Sequence, residues 1–175
     1  MKKVLLHICC GVCAFASIEK LKKEGFLVEA LFFNPNIQPE DEYQRRIRAA
    51  RVVARTTGIN LIEAQYCVDD WLDICKTYSH QKEGGRRCSL CYEFRLRKTF
   101  EVSCAQGIDY FTTTLTISPH KNSPAIAAIG KQVGNDKFLP FDFKKEGGFL
   151  KTIEAAKKLN LHRQNYCGCI YSQKH

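Results

Sequence analysis

The stretch Lys3-Val-Leu-Leu-His-Ile-Cys-Cys-Gly-Val-Cys13 decides the fold. Lys3 to Ile8 is an apolar run of strand length, and it passes without a spacer into a loop carrying three thiols around Gly11. Ile18 and Leu21 follow at helical spacing and Gly25 stops the segment, so the chain opens as strand, loop and helix. The pattern then repeats outward. Phe26 to Phe33 is a second apolar strand, and Asn34-Pro-Asn-Ile-Gln-Pro39 forbids regular structure after it. A helix over 40–57 places Ile47, Ala50 and Ala54 on one side and Arg48, Arg51 and Arg55 on the other. A short strand over 59–64, a helix over 68–78, a Gly-rich loop over 81–87 and a helix opening at Cys88 come next. A strand over 108–115, a helix near 125–133, a last strand over 138–141 and a helix over 149–159 complete the reading. Such alternation predicts an α/β fold: a parallel-sheet, Rossmann-like (nucleotide-hydrolase-like) sandwich with helices on both faces. Ligands of such sheets bind beyond the carboxyl ends of the strands, where Cys9 to Cys13 and the residues after Leu115 fall.

The chain has 175 residues, 45% hydrophobic and 26% charged, which suits one domain over 1–175 with a true core and excludes disorder and fibre. Its apolar runs, such as Val4 to Ile8 and Leu27 to Phe33 with Glu29 inside it, fall far below the roughly 20 residues of a membrane-spanning helix. No charged-then-apolar leader opens it, so a soluble, cytoplasmic protein with no membrane partner is expected. Twenty-seven Lys and Arg against eighteen Asp and Glu leave a net charge of +9, which favours a polyanionic partner, nucleic acid foremost.

Ten cysteines in a chain of this size point to metal or redox chemistry rather than a stapled secreted scaffold. Three groups carry the signal: Cys9, Cys10 and Cys13; Cys88 and Cys91; Cys167 and Cys169. Cys88 and Cys91 share a face at a helix start, where unpaired amides favour thiolates or an anionic cluster, and Arg95 lies one turn on. Thiolates from the first loop and from this helix make a four-sulfur set that suits zinc or a four-iron four-sulfur cluster. Adjacent Cys9 and Cys10 are awkward for one tetrahedral ion and easy for a larger cluster. Cys167-Gly-Cys169 spans at most about 7 Å, close to the range of about 4.4–6.8 Å that a disulfide bridges, and so small a ring suits electron or thiol exchange better than structure. Cys67, Cys75 and Cys104 have no partners at telling spacings and read as buried small hydrophobes.

The arginine stripe, with Arg45, Arg46, Arg86, Arg87, Lys144 and Lys145, matches a phosphate-backbone contact as well as a solvated face. Tyr43, Trp71 and Tyr166 are candidate stacking platforms or core. Asp142, after the last strand, is placed to ligate a second iron or to donate a proton; Asp69 and Asp70 are its rivals, but they also suit a helix first turn. His7 reads as a core histidine, and His120 beside Lys121 as an acid or a phosphate contact.

His7-Ile-Cys-Cys-Gly-Val-Cys13, Phe33-Asn-Pro-Asn-Ile37 with Glu42, Tyr43 and Arg46, Arg87-Cys-Ser-Leu-Cys91 with Arg95, Thr113-Thr-Leu-Thr-Ile-Ser-Pro-His-Lys121, Asp142-Phe-Lys-Lys145 and Arg163-Gln-Asn-Tyr-Cys-Gly-Cys169 with Ser172 together resemble the QueH-type epoxyqueuosine reductases. The resemblance runs from about residue 3 to residue 172; Val12 stands where the family commonly has proline. It implies a cobalamin-independent oxidoreductase acting on tRNA that carries epoxyqueuosine at the wobble position, with an electron donor that the chain does not identify. It also implies a four-iron four-sulfur cluster on Cys9, Cys10, Cys88 and Cys91, an additional mononuclear iron near Cys13 and Asp142, and a redox-active pair, Cys167 and Cys169. Two rival readings are an ATP-dependent tRNA thiolase, whose glycine- and serine-rich phosphate loop is missing here, and a zinc-containing RNA-binding module without catalysis.

Overall fold

In a computed structural model, residues 1–173 are described. Four strands, β1 (Lys3–His7), β2 (Leu27–Phe32), β3 (Asn60–Glu63) and β4 (Tyr110–Thr113), form one sheet in the order β3-β2-β1-β4. Every pairing is parallel, with His7 level with Leu31 of β2 on one side and Thr113 of β4 on the other. The chain therefore builds β1, β2 and β3 outward in one direction, then returns to place β4 on the free side of β1. The gap between the ends of β1 and β4 is the point where the connections diverge, the place where open α/β sheets form a crevice.

Helices α1 (Gly11–Lys23), α2 (Glu40–Thr57) and α6 (Gly148–Lys158) cover one face, and α4 (Arg86–Ala105) and α5 (Ser123–Gly134) cover the other, with α3 (Val68–Cys75) against α4. The alternation within β1 sorts the two cores: Val4 and Leu6 face α1 and α2, and Leu5 faces α4 and α5. Strands covered on both faces are mostly apolar, which is why β1 and β2 read as hydrophobic runs broken only by Lys3, His7 and Glu29.

The α2 bounds agree with the sequence expectation. Its start has three acids in the first turn, and Gly58 ends it in a left-handed conformation at φ 64°. The expected last strand over 138–141 is reduced to one parallel bridge between Phe111 and Phe138. Pro140 has no N–H to donate, so the ladder stops there. None of the helices among the described residues is long and apolar enough to cross a membrane.

Gly11 sets how closely the cysteine loop approaches α2. A methyl group there would lie 2.9 Å from Ala49 Cβ and overlap the Ala49 carbonyl. Gly11→Ala should therefore cost about 1–3 kcal/mol, as overpacking does. At about 2–4 °C per kcal/mol for a chain of this size, the melting temperature followed by circular dichroism should fall by several degrees.

Candidate metal centre and its cavity

The crevice is built from the strand ends upward. After β1, Cys10 caps α1: its sulfur accepts from the Cys13 amide at 3.4 Å. One turn of helix brings Cys13 back over Cys10, and Cys9 lies beside both, so that the three sulfurs are within 4.8 Å of one another. After β4, Thr114 Oγ1 accepts from the Cys9 amide at 3.3 Å and lies 3.5 Å from its sulfur. These ends frame a cavity of about 430 Å³ whose lining includes Cys9, Cys13, Arg95, Lys121, Gln164 and Cys167.

Cys88 and Cys91 enter from α4. Both are buried, and Cys88 accepts from the Gly84 amide at 3.2 Å, in the loop before the helix. Arg95, one turn after Cys91, is 2% exposed. Its Nη2 donates to Asn34 Oδ1 at 2.7 Å and its Nη1 approaches the Cys91 sulfur at 3.8 Å, while Nε has no partner. No carboxylate forms an ion pair with it among the described residues. Although burial works against its charge, the thiols of Cys91, Cys9 and Cys167 raise its pKa.

The sulfurs respond in kind. Hydrogen bonds from Cys10 and Cys13, together with Arg95 and Lys121, hold the Cys9 thiol well below its usual range despite burial. Cys10 receives help from Cys13, but its bond to Cys9 and its burial push it up to about 12; Cys13 is raised by its bonds to Cys10 and Cys9. Burial raises Cys88 and Cys91. These directions favour charge on Cys9, beside Arg95 and Lys121, over charge on the other thiols of the site. Cys9, Cys10 and Cys13 are gathered closely enough to hold a metal ion, and Cys88 and Cys91 stand on the adjoining helix outside that group. Buried Arg95 has no acid partner among the described residues, and the combination suits an anionic metal–sulfur centre.

The C-terminal segment closes the cavity. Arg46 is buried, ion-paired with Glu42 at 2.7 Å, and donates to the carbonyls of Cys167 at 3.0 Å and Tyr166 at 3.1 Å. His162 lies 3.0 Å from the same carboxylate. Burial opposes the Glu42 charge, but Arg46 and His162 overcome it and keep its pKa low. Gly168, at φ 122°, accepts from the Gln38 amide through its carbonyl at 2.8 Å, and a side chain at this position would meet Arg46 and Ile37. Both cysteines of the pair are free thiols. Cys167 lines the cavity, and Cys169 is buried with Trp71, Cys75 and Cys91.

Several expectations are corrected. Arg46 and Arg87 turn inward: Arg87 donates to the carbonyls of Tyr78, Ser79 and Gln81, fixing the turn before α4, and neither guanidinium faces solvent. Arg51 is exposed but paired with Glu63 at 2.7 Å. Trp71 is fully buried and Tyr43 stacks on Tyr66, so neither is a free platform; Tyr166 is half-buried, with Arg46 over its ring. Cys104 is exposed on α4 rather than buried. Asp142 accepts from Ser123 Oγ at 3.1 Å and is not among the residues lining the cavity. His7 is a core histidine as expected, bonded to Thr113 Oγ1 and the Phe33 carbonyl, with burial pushing its pKa down to about 3. The Arg46–Glu42–His162 clamp was not foreseen, although Glu42 and Arg46 stand four apart, the spacing of a helical ion pair.

A family model described as epoxyqueuosine reductase QueH matches residues 4–175. The chain is 36% identical to epoxyqueuosine reductase QueH of Streptococcus pyogenes serotype M1, covering 98% of this chain and 70% of that protein. It is 35% identical to the QueH of Thermotoga maritima, covering 98% and 91%. The solved structure of a U34-tRNA thiolase, NcsA from Methanococcus maripaludis with its 4Fe-4S cluster, superposes with a TM-score of 0.60 at 19% identity over 99% of this chain and 62% of that one. That likeness shows a shared α/β fold. Sequence similarity over almost every residue goes further, and places the chain in the QueH epoxyqueuosine reductase family, whose members are oxidoreductases.

Proposed function

We propose that this chain reduces the epoxide of epoxyqueuosine, at the wobble position of a tRNA anticodon, to the alkene of queuosine. Family membership supports the reaction, and Arg95 supports the machinery: a buried guanidinium faced by thiols from separate segments, with no acid paired to it among the described residues. The ligand set we assign is Cys9, Cys10, Cys88 and Cys91, holding a four-iron four-sulfur cluster, with Cys13 beside them for an additional iron. When bound, such a centre supplies single electrons and, at an iron with an open position, Lewis acidity.

The protein's own groups do the rest. Arg95 offsets the charge of the sulfur centre, and Thr114 fixes Cys9 through its backbone and side chain. The cavity accepts the cyclopentane arm of the modified base, while exposed Arg48, Arg86 and Arg163 are available to anticodon phosphates. Converting an epoxide to an alkene consumes two electrons and two protons and releases water. Closing Cys167 and Cys169 into a disulfide releases two electrons and two protons, so the pair balances one turnover, and an external electron donor then returns it to the dithiol. In the structure the two thiols face different surroundings, so forming that bond requires the segment around Gly168 to rearrange.

Anaerobic reconstitution with iron and sulfide should give a brown protein with broad blue-violet absorbance, and Cys9→Ser or Cys91→Ser should remove most of the colour and bound iron; a colourless protein that takes up zinc instead contradicts the assignment. Nucleosides from epoxyqueuosine-containing tRNA should lose the mass of one oxygen atom on incubation with reduced protein. Cys167→Ser and Cys169→Ser should keep the iron but stop multiple turnover with a biological donor, and unchanged rates with both biological and chemical reductants would remove the pair from the scheme.

A further inference from the structure

Lys121 stands at the switch point near the cavity thiols, and its ammonium group has no hydrogen-bond or ion-pair partner among the described residues. It follows the turn after β4, and the loop that carries it is pinned at several points. Its amide donates to the Ser118 carbonyl at 3.3 Å, and its own carbonyl accepts from Lys144 Nζ at 3.0 Å. The next residue, Asn122, caps α5 by accepting from the Ala125 amide at 3.0 Å. A loop held this way keeps its side chain in the cavity, which Lys121 lines together with Cys9, Cys167 and Thr114. Yet Lys121 forms no ion pair and donates no side-chain hydrogen bond among the described residues.

The other cation of the cavity differs in this respect. Arg95 is spent on Asn34 and Cys91, and its position deep against the sulfurs makes it part of the centre's charge balance. Glu83, which lines the same cavity, is exposed and makes no ion pair with Lys121. A lysine with three unused donors, held by backbone bonds and facing thiols, is arranged to meet an oxygen that the resident protein atoms do not supply.

We propose that Lys121 is a catalytic residue that binds the epoxide oxygen and stabilises the negative charge that gathers on it as the carbon–oxygen bond opens. This rests on the epoxyqueuosine reading above. Opening the ring leaves the shared electrons largely on oxygen, and a cationic donor lining the cavity favours that charge more than it favours the neutral ring. The interaction therefore grows along the reaction coordinate. It belongs to the rate of the chemical step rather than to the grip on tRNA, which the exposed arginines supply from outside the cavity.

The test uses full-length protein reconstituted with iron and sulfide, epoxyqueuosine-containing tRNA and excess chemical reductant. Lys121→Gln should lower kcat by about 100-fold or more, the scale set by loss of one oxyanion donor. KM for tRNA should change by less than about three-fold, iron content and visible spectrum should match the unsubstituted protein, and Lys121→Arg should recover part of the rate. A raised KM at unchanged kcat would make Lys121 a phosphate contact and overturn the proposal. Loss of iron in Lys121→Gln, or full activity in it, would overturn it as well; if Lys121→Gln does not fold, Lys121→Arg read in the same way decides. If the unsubstituted protein binds iron but forms no queuosine, the reaction assignment itself fails, an outcome distinct from any result of the variants.

Discussion

A guanidinium buried with no carboxylate partner among the described residues is the constraint around which this molecule is organised. Removing such a charge from water costs several kcal/mol unless an anion accompanies it. Arg95 finds one neutral oxygen, on Asn34, and otherwise sulfur. Asn34 is in turn held by donating to the Ile8 carbonyl at 2.9 Å, so the guanidinium is tied to the ends of both β1 and β2. The arrangement makes sense if the sulfurs carry negative charge, as they do when they hold metal. Folding and cofactor loading are linked on this view, because the centre satisfies a charge that the apo thiols satisfy only in part.

A second buried pair governs access. Glu42 and Arg46, four apart on α2, are both almost fully buried, and breaking such a pair by removing one partner costs about 3–5 kcal/mol. Here the pair does more than stabilise a helix. Arg46 reaches across to the carbonyls of Tyr166 and Cys167, while Glu42 holds His162, so α2 grips both ends of the segment that carries the thiol pair. Cys167 and Cys169, the pair we propose to be redox-active, sit on a short loop anchored to a rigid element, with only glycine between them. Rigidity next to a single permissive hinge suits a pair that must alternate between two bonding states.

Much of this was legible in the chain. Mostly apolar strands separated by helical stretches gave the parallel sheet, and the same logic put Cys9 and the residues after Leu115 at its ligand edge. Helical spacing brought Cys13 over Cys10 and Arg95 behind Cys91. What periodicity does not encode is which of several arginines turns inward. Arg46 and Arg87 looked like members of a solvated basic face, and only tertiary neighbours, the carbonyls of the C-terminal segment and of the turn after Tyr78, decide otherwise. Trp71 was equally ambiguous, since a short helix with acids in its first turn can show its apolar side to solvent or to a neighbour; here Tyr171 covers it. The last strand failed for a local reason, Pro140, that the sequence did display.

The central claim is that thiols from the β1 loop and from the start of α4 converge on one iron–sulfur centre beside Arg95. Diffraction from anaerobically grown crystals at the iron absorption edge tests it directly. The account predicts anomalous density at the mouth of the sheet, bonded to sulfurs from both segments and adjacent to the cavity that Cys167 and Lys121 line. Metal bound by Cys9, Cys10 and Cys13 alone, with Cys88 and Cys91 unligated, or iron absent from this edge altogether, would contradict it.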